Sequence, residues 1–345
     1  MRLFKASLPF CGILLCCSNY AWAEDSRLIP SYQSNPPVYR VYSNGEFDTV
    51  FPPAKSPSSN TWTGIQEVLI SPTQQKIAFC KDNDLWVYDV ATKIALQLTH
   101  IGKPATSQFD SIEVSVQRWS SDESKILILV SRGFTDSPQE RKAKYGLQVF
   151  DMKTGKTSLL PSSIKHEKIL VWFENGNYLL KNNGDVVQYD IASKHQTNIL
   201  SISSSDSAKD NIEMGQENLS GDQQWIAFDR LNWTRQTSQL MRMNLKSGEI
   251  IAITDIGGWA EYQWPIFSPS GKKIVYEHQT NSKPNPNGPS RLPQSDLVID
   301  GKTVYSFEGY RKLYWIDEST IVLIGAIITV IDTDAGIVKA KFKLN

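Results

Sequence analysis

Chemistry needs reactive side chains gathered in one place, and this sequence offers few. A serine hydrolase of the α/β class would show Gly-x-Ser-x-Gly, which sets the nucleophile on a sharp strand-to-helix turn. That pattern is absent from the 345 residues. A zinc site wants clustered histidine or cysteine, whereas His100, His166, His195 and His278 stand far apart in the chain. Folding can still bring distant positions together, so His100 and His278 stay open as site histidines. Asp82-Asn83-Asp84 offers carboxylate and amide oxygens without the rest of a calcium loop. Its place between two apolar strands reads more simply as a tight hairpin. Asp89, Asp151, Asp190 and Asp332 recur at one phase, which suggests a ring of carboxylates. Their position at strand ends favours turn formation instead. No catalytic residue, metal ligand or cofactor is assigned; a divalent ion such as calcium in a central channel stays open.

Recognition has better candidates. Three segments, Ser131 to Tyr145, Asp229 to Gln239 and Glu277 to Ser295, are longer than their counterparts elsewhere and lean cationic. They carry Arg132, Arg141, Lys142, Lys144, Arg230, Arg235 and Arg291, with Phe134 and Trp233 as aromatic surface. The segment Gly257 to Tyr262 adds Trp259. Arginine and aromatic residues are the types that dominate binding energy at interfaces. The expected partner is another protein.

The elements that must hold these residues are announced by a repeat. "SPSGKKIVY" (Ser268 to Tyr276) has a near copy in "SPTQQKIAF" (Ser71 to Phe79). Aligning on the preceding residue gives Ile70, Trp119, Trp172, Leu219, Phe267 and Trp315, at intervals of 49, 53, 47, 48 and 48 residues. After each anchor comes a polar turn and an apolar strand. A second phrase follows, such as Trp86-Val87-Tyr88-Asp89 or Leu147-Gln148-Val149-Phe150-Asp151, ending in another turn and a further short strand. Four short antiparallel strands in about 48 residues make a propeller blade. One such sheet cannot bury both faces, but a ring of them can. The expected fold is an all-β, six-bladed β-propeller of four-stranded antiparallel blades over residues 62–345, with seven blades as the alternative. The three long segments then lie between second and third strands, on the face where blades connect, and function commonly resides in such loops.

The phrase around each first turn resembles the Trp-Ser-Pro-Asp-Gly-Lys-Lys-Ile-Ala-Phe repeat of TolB-like six-bladed propellers, also found in the propeller domains of prolyl-oligopeptidase-type peptidases. Residues 267–276 match well, 70–79 and 119–128 moderately, 219–228 partly, and the copies at 172 and 315 are degenerate. The resemblance implies the fold, and a propeller mouth that receives a partner's segment. It implies no peptidase activity, because the separate catalytic domain of those enzymes has no room here.

The first residues read as an export signal: Arg2 and Lys5, an apolar run from Leu8 to Cys17, and Ala21-Trp22-Ala23 before Glu24. The run is too short for a bilayer span, which needs about 20 apolar residues. Cleavage before Glu24 would give a periplasmic protein with no stable membrane anchor, expected as a monomer. Removing residues 1–23 leaves Cys80 as the one cysteine, so no internal disulfide can form. It also leaves 34 basic against 36 acidic residues, a balance that excludes general nucleic-acid binding. Residues 24–61 read as a lead-in and a hairpin about Asn44-Gly45, placed to close the ring beside the last blade. The leading function is a non-catalytic exported propeller that binds a protein through its long loops. Alternatives are a metal-dependent hydrolase or lactonase in the channel, a periplasmic inhibitor or immunity protein, and a carbohydrate-binding module using Trp233 and Trp259.

Overall fold

A computed structural model describes residues 26–30, 37–51, 65–102, 112–132, 146–160, 169–173, 175–182, 185–190, 193–200, 210–214, 218–232, 234–258, 261–280, 294–309, 312–325 and 327–343. Its named elements are all strands, in seven antiparallel sheets that follow one another along the chain. Blade 1 is β1 (Ser26–Pro30), β2 (Val38–Tyr42) and β3 (Phe47–Phe51). Blade 2 is β4 (Gln66–Ile70), β5 (Lys76–Lys81), β6 (Asp84–Asp89) and β7 (Ile94–Gln97). Blade 3 is β8 (Ile112–Trp119), β9 (Lys125–Arg132), β10 (Gly146–Asp151) and β11 (Lys156–Leu159). Blade 4 is β12 (Ile169–Trp172), β13 (Tyr178–Asn182), β14 (Asp185–Asp190) and β15 (His195–Leu200). Blade 5 is β16 (Asp210–Glu213), β17 (Trp225–Asn232), β18 (Thr237–Asn244) and β19 (Ile250–Ala252), with β20 (Gly257–Gly258) paired to the start of β18. Blade 6 is β21 (Tyr262–Phe267), β22 (Ile274–Gln279), β23 (Gln294–Ile299) and β24 (Lys302–Glu308). Blade 7 is β25 (Lys312–Trp315), β26 (Thr320–Ile324), β27 (Ile327–Asp332) and β28 (Ile337–Lys343).

Alternation along each middle strand sends neighbouring residues to opposite blades. In β5, Ile77 and Phe79 pack with Phe51 of blade 1, while Ala78 and Cys80 pack with Val114 and Ile128 of blade 3. The same rule applies at every seam, so the core is a circuit of apolar layers between blades. It passes from blade 2 to 3, 3 to 4, 4 to 5, 5 to 6, 6 to 7, 7 to 1 and 1 to 2. The ring is therefore closed.

Six four-stranded blades stand where the repeats place them, but the ring has seven sheets, the alternative to the expected six. The physical reason lies in blade 1. Its hairpin turns at Gly45 (φ +94) and gains a third strand, β1. Val38 and Phe51 pack on blade 2, while Tyr39 and Val41 pack on blade 7. A sheet buried on both faces is a wedge of the ring, and it closes that ring beside the last blade. Arg27 of β1 fastens it, donating from Nη1 to the Trp315 carbonyl at 2.6 Å and lying over the Tyr314 ring.

The repeated phrase has a mechanical meaning. Its serine oxygen accepts the N–H five residues on: Ser71 from Lys76 at 3.0 Å, Ser120 from Lys125 at 2.9 Å, Ser220 from Trp225 at 2.9 Å and Ser268 from Lys273 at 3.2 Å. The anchor tryptophans staple blades together. Trp119 Nε1 donates to the Leu69 carbonyl of blade 2 and Trp315 Nε1 to the Ile266 carbonyl of blade 6.

Candidate functional site

Every first strand runs the same way in its blade, so all second-to-third-strand connections leave the ring at one end. Blade 2 spends almost nothing there. Asp82 and Asn83 both take positive φ (53° and 67°), which makes a two-residue hairpin between β5 and β6. The hairpin reading of Asp82-Asn83-Asp84 therefore holds. Asp84 is 5% exposed, and its Oδ1 accepts Thr99 Oγ1 at 2.7 Å, the Ile101 N–H at 2.9 Å and the Gly102 N–H at 3.0 Å. It pins the connection into blade 3.

Blade 5 spends its extra residues differently from expectation. Most of Asp229 to Gln239 is strand rather than loop: β17 and β18 stay paired out to Asn232 and Thr237. Only a short turn caps them, where Asn232 Oδ1 accepts the Arg235 N–H at 2.7 Å and Gln236 takes φ 51°. Arg230 and Arg235 are exposed on this raised hairpin. Arg132 ends β9 opposite Ile112. Phe134, Arg141, Lys142, Lys144, Trp233, Trp259 and Arg291 lie outside the described residues.

The connection from blade 5 to blade 6 leans on the same hairpin. Ser238 Oγ donates to the Gly258 carbonyl and accepts the Tyr262 N–H. A Cβ at Gly257 would meet the Tyr262 ring and the Glu261 carboxylate, so any side chain there would have to displace them. Glu261 accepts the Gly258 N–H through Oε2 and faces His278 Nε2 at 3.2 Å through Oε1, with the His278 ring stacked on Tyr262. Of the two histidines left open, His278 is thus half-buried and engaged, while His100 is exposed.

Toward the axis the innermost strands are irregular. β4, β8, β12 and β21 each shift register once. Such bulges leave an N–H without a ladder partner and re-aim side chains. The preceding blade supplies the acceptor in two cases: Glu67 Oε2 takes the Val116 N–H at 2.9 Å, and Asp229 Oδ2 takes the Trp264 N–H at 3.2 Å. Sequence reasoning missed both carboxylates, because their role depends on a bulge that no local pattern announces. Burial, reinforced by Glu67, pushes the Cys80 thiol up to about 12, so it stays protonated and unreactive.

The recurring aspartates are turn formers. Asp89, Asp151 and Asp190 each accept the N–H and the hydroxyl of Thr92, Thr154 and Ser193, three residues on. Asp332 takes the Ala335 N–H in the same way. These bonds hold Asp89, Asp151 and Asp332 below the usual carboxylate range. Among the described residues, no three of His, Cys, Asp and Glu gather as metal ligands would.

No family model matches the sequence, and no curated protein matches it. Solved structures do. An oligogalacturonate lyase in complex with manganese superposes with a TM-score of 0.55 at 11% identity, over 87% of this chain and 82% of that one. A structure from an analysis of two prolyl endopeptidases gives 0.52 at 12% identity, over 94% of this chain but only 50% of that one. A putative TolB from Agrobacterium tumefaciens gives 0.42 at 17% identity, over 76% of this chain and 86% of that one. What the closer of these likenesses carry is architecture: this chain is a β-propeller, the fold its TolB-like repeat implies.

Proposed function

We propose that the chain is an exported, non-catalytic propeller that binds a protein partner through the face where its long connections emerge. The observation that supports this is their shared polarity. The connections after β9, β17 and β22 all join second to third strands, so the described strand ends that carry them in blades 3, 5 and 6 share one end of the ring. Arg132, Arg230 and Arg235 stand at the described edges of that material, Phe134, Arg141, Lys142, Lys144, Trp233 and Arg291 belong to the rest of it, and Trp259 belongs to the connection from blade 5 to blade 6. On this reading the partner is a protein with an acidic contact surface. The chain works in the periplasm after removal of residues 1–23. No helix among the described residues is long and apolar enough to cross a membrane.

The test is capture from periplasmic extract by the tagged chain, followed by titration with the captured protein. Reversing Arg230 and Arg235, both exposed, to glutamate should weaken binding at least tenfold, with the melting temperature measured alongside to separate binding from folding. Unchanged affinity would remove blade 5 from the contact face. A tightly held divalent ion without any protein partner would favour a hydrolase working in the channel.

A further inference from the structure

Blade 4 departs from the other repeat-bearing blades at one core position. The second-strand residue that pairs with the repeat anchor is isoleucine in blades 2, 3, 5, 6 and 7: Ile77, Ile126, Ile226, Ile274 and Ile321. In blade 4 it is Tyr178, opposite the anchor Trp172. Directly across from Tyr178 on the third strand stands Tyr189. Both side chains are fully buried in the layer between blades 3 and 4. Their ring centroids are 6.5 Å apart with planes 33° apart, and the Trp172 ring packs on Tyr178 at 5.4 Å. Leu127 and Val149 of blade 3 and Leu180 and Val187 of blade 4 complete the layer around them. Neither hydroxyl oxygen finds a hydrogen-bond partner among the described residues.

A phenol hydroxyl can donate one hydrogen bond and accept others. Buried without a partner, it forfeits its bonds to solvent and gains nothing for them. Ionisation offers no escape. Burial, with Tyr189 beside it, pushes Tyr178 up to about 12, so the hydroxyl keeps its proton. Isoleucine, used in the sister blades, would fill the layer without that cost. Two such hydroxyls on one face of paired strands therefore call for a shared partner. The apolar surroundings exclude an ion, which would lose its hydration without a counter-charge. A water molecule needs at least two polar partners in a buried site, and the pair supplies two.

We propose that the seam between blades 3 and 4 is a binding site for one buried water molecule, held between the Tyr178 and Tyr189 hydroxyls. The site lies in the core of the ring and makes no use of the loop-face reading above.

Substitution in the whole protein tests it through a change of sign. A hydroxyl that stays unpartnered is a burden, so its removal would stabilise the fold or leave it unchanged. A hydroxyl that holds a water is an asset. Tyr178→Phe and Tyr189→Phe should each lower the folded-to-unfolded ratio at least fivefold at a fixed urea concentration. The double variant should fall by less than the product of the two, since neither water nor lone hydroxyl remains to be served. A ratio unchanged or raised in either single variant would overturn the proposal. Coupling alone would also arise if the two hydroxyls bonded each other, so a crystal structure decides between them. Electron density for one water within about 3.2 Å of both oxygens is expected. Hydroxyls bonded to each other or to protein groups, with no such density, would overturn the proposal whatever the urea titrations gave.

Discussion

The turn after each third strand shows what one residue contributes. The fifth residue of this turn donates its N–H back to the first at Gly155 and Gly248, and these glycines and Gly336 take φ between 65° and 73°. Blades 2 and 4 place lysine there instead, Lys93 at φ 60° and Lys194 at φ 57°. The left-handed region costs an L-residue about 1 kcal/mol that glycine avoids. Lys93→Gly should therefore stabilise the fold by about 0.5–1 kcal/mol. A higher urea midpoint at unchanged slope would record it. Glu123 makes a pH prediction. Burial pushes its carboxyl up, but bonds from the Thr73 hydroxyl and N–H and from Lys76 outweigh burial and hold it below its ordinary value. A depressed folded-state pKa contributes stability above the unfolded value, near 4.3–4.5, and that contribution is lost as pH falls through the folded value. Stability should then fall on acidification below about pH 4.5, and less steeply in Glu123→Gln. Identical pH profiles for the two proteins would exclude this clamp between blades 2 and 3.

At the scale of elements, the connections between blades depend on single buried anchors. Asp84→Ala would strip the acceptor from two backbone N–H groups and a hydroxyl, all near a buried position. A loss of about 2–4 kcal/mol is expected from calorimetry or denaturant titration, since unsatisfied buried donors cost about 1–3 kcal/mol each and water relieves part of it. Much of this scale was legible in the sequence. The Ser-Pro-Ser-Gly phrase predicts the first turn because the serine oxygen and the residue at positive φ are both local devices. The aspartates of the second turn were legible for the same reason. The raised hairpin of blade 5 was not. Whether extra residues between two strands form a loop or lengthen the strands depends on pairing across the gap, and here Ser238 and Thr237 also find β20, some 20 residues later. The proposed contact residues were legible only as composition. Arg230 and Arg235 are placed on the outer face, whereas the paired carboxylate and bulge at Glu67 and Val116 left no pattern to read.

The whole molecule is decided by blade 1. Strands β1 to β3 lack the phrase that marks every other blade, so counting phrases yields six sheets where the ring contains seven. A chain beginning at Trp62 would leave Ile77 and Phe79 on one side, and Ile324 and Ile328 on the other, without their covering layers. Loss of several such contacts, each worth about 1.5–3 kcal/mol, exceeds the usual margin of about 5–15 kcal/mol. That shortened chain should show no cooperative melting transition, and a sharp transition near that of the full chain would contradict the role given to this sheet. Arg27 and Trp315, which meet across the closing seam, are 288 residues apart in the chain. Blade 1 thus keeps one bare flank until the last sheet has been synthesised. A polypeptide wired in this manner cannot finish folding stepwise as it leaves the ribosome, so the export proposed above would meet a chain still open enough to thread.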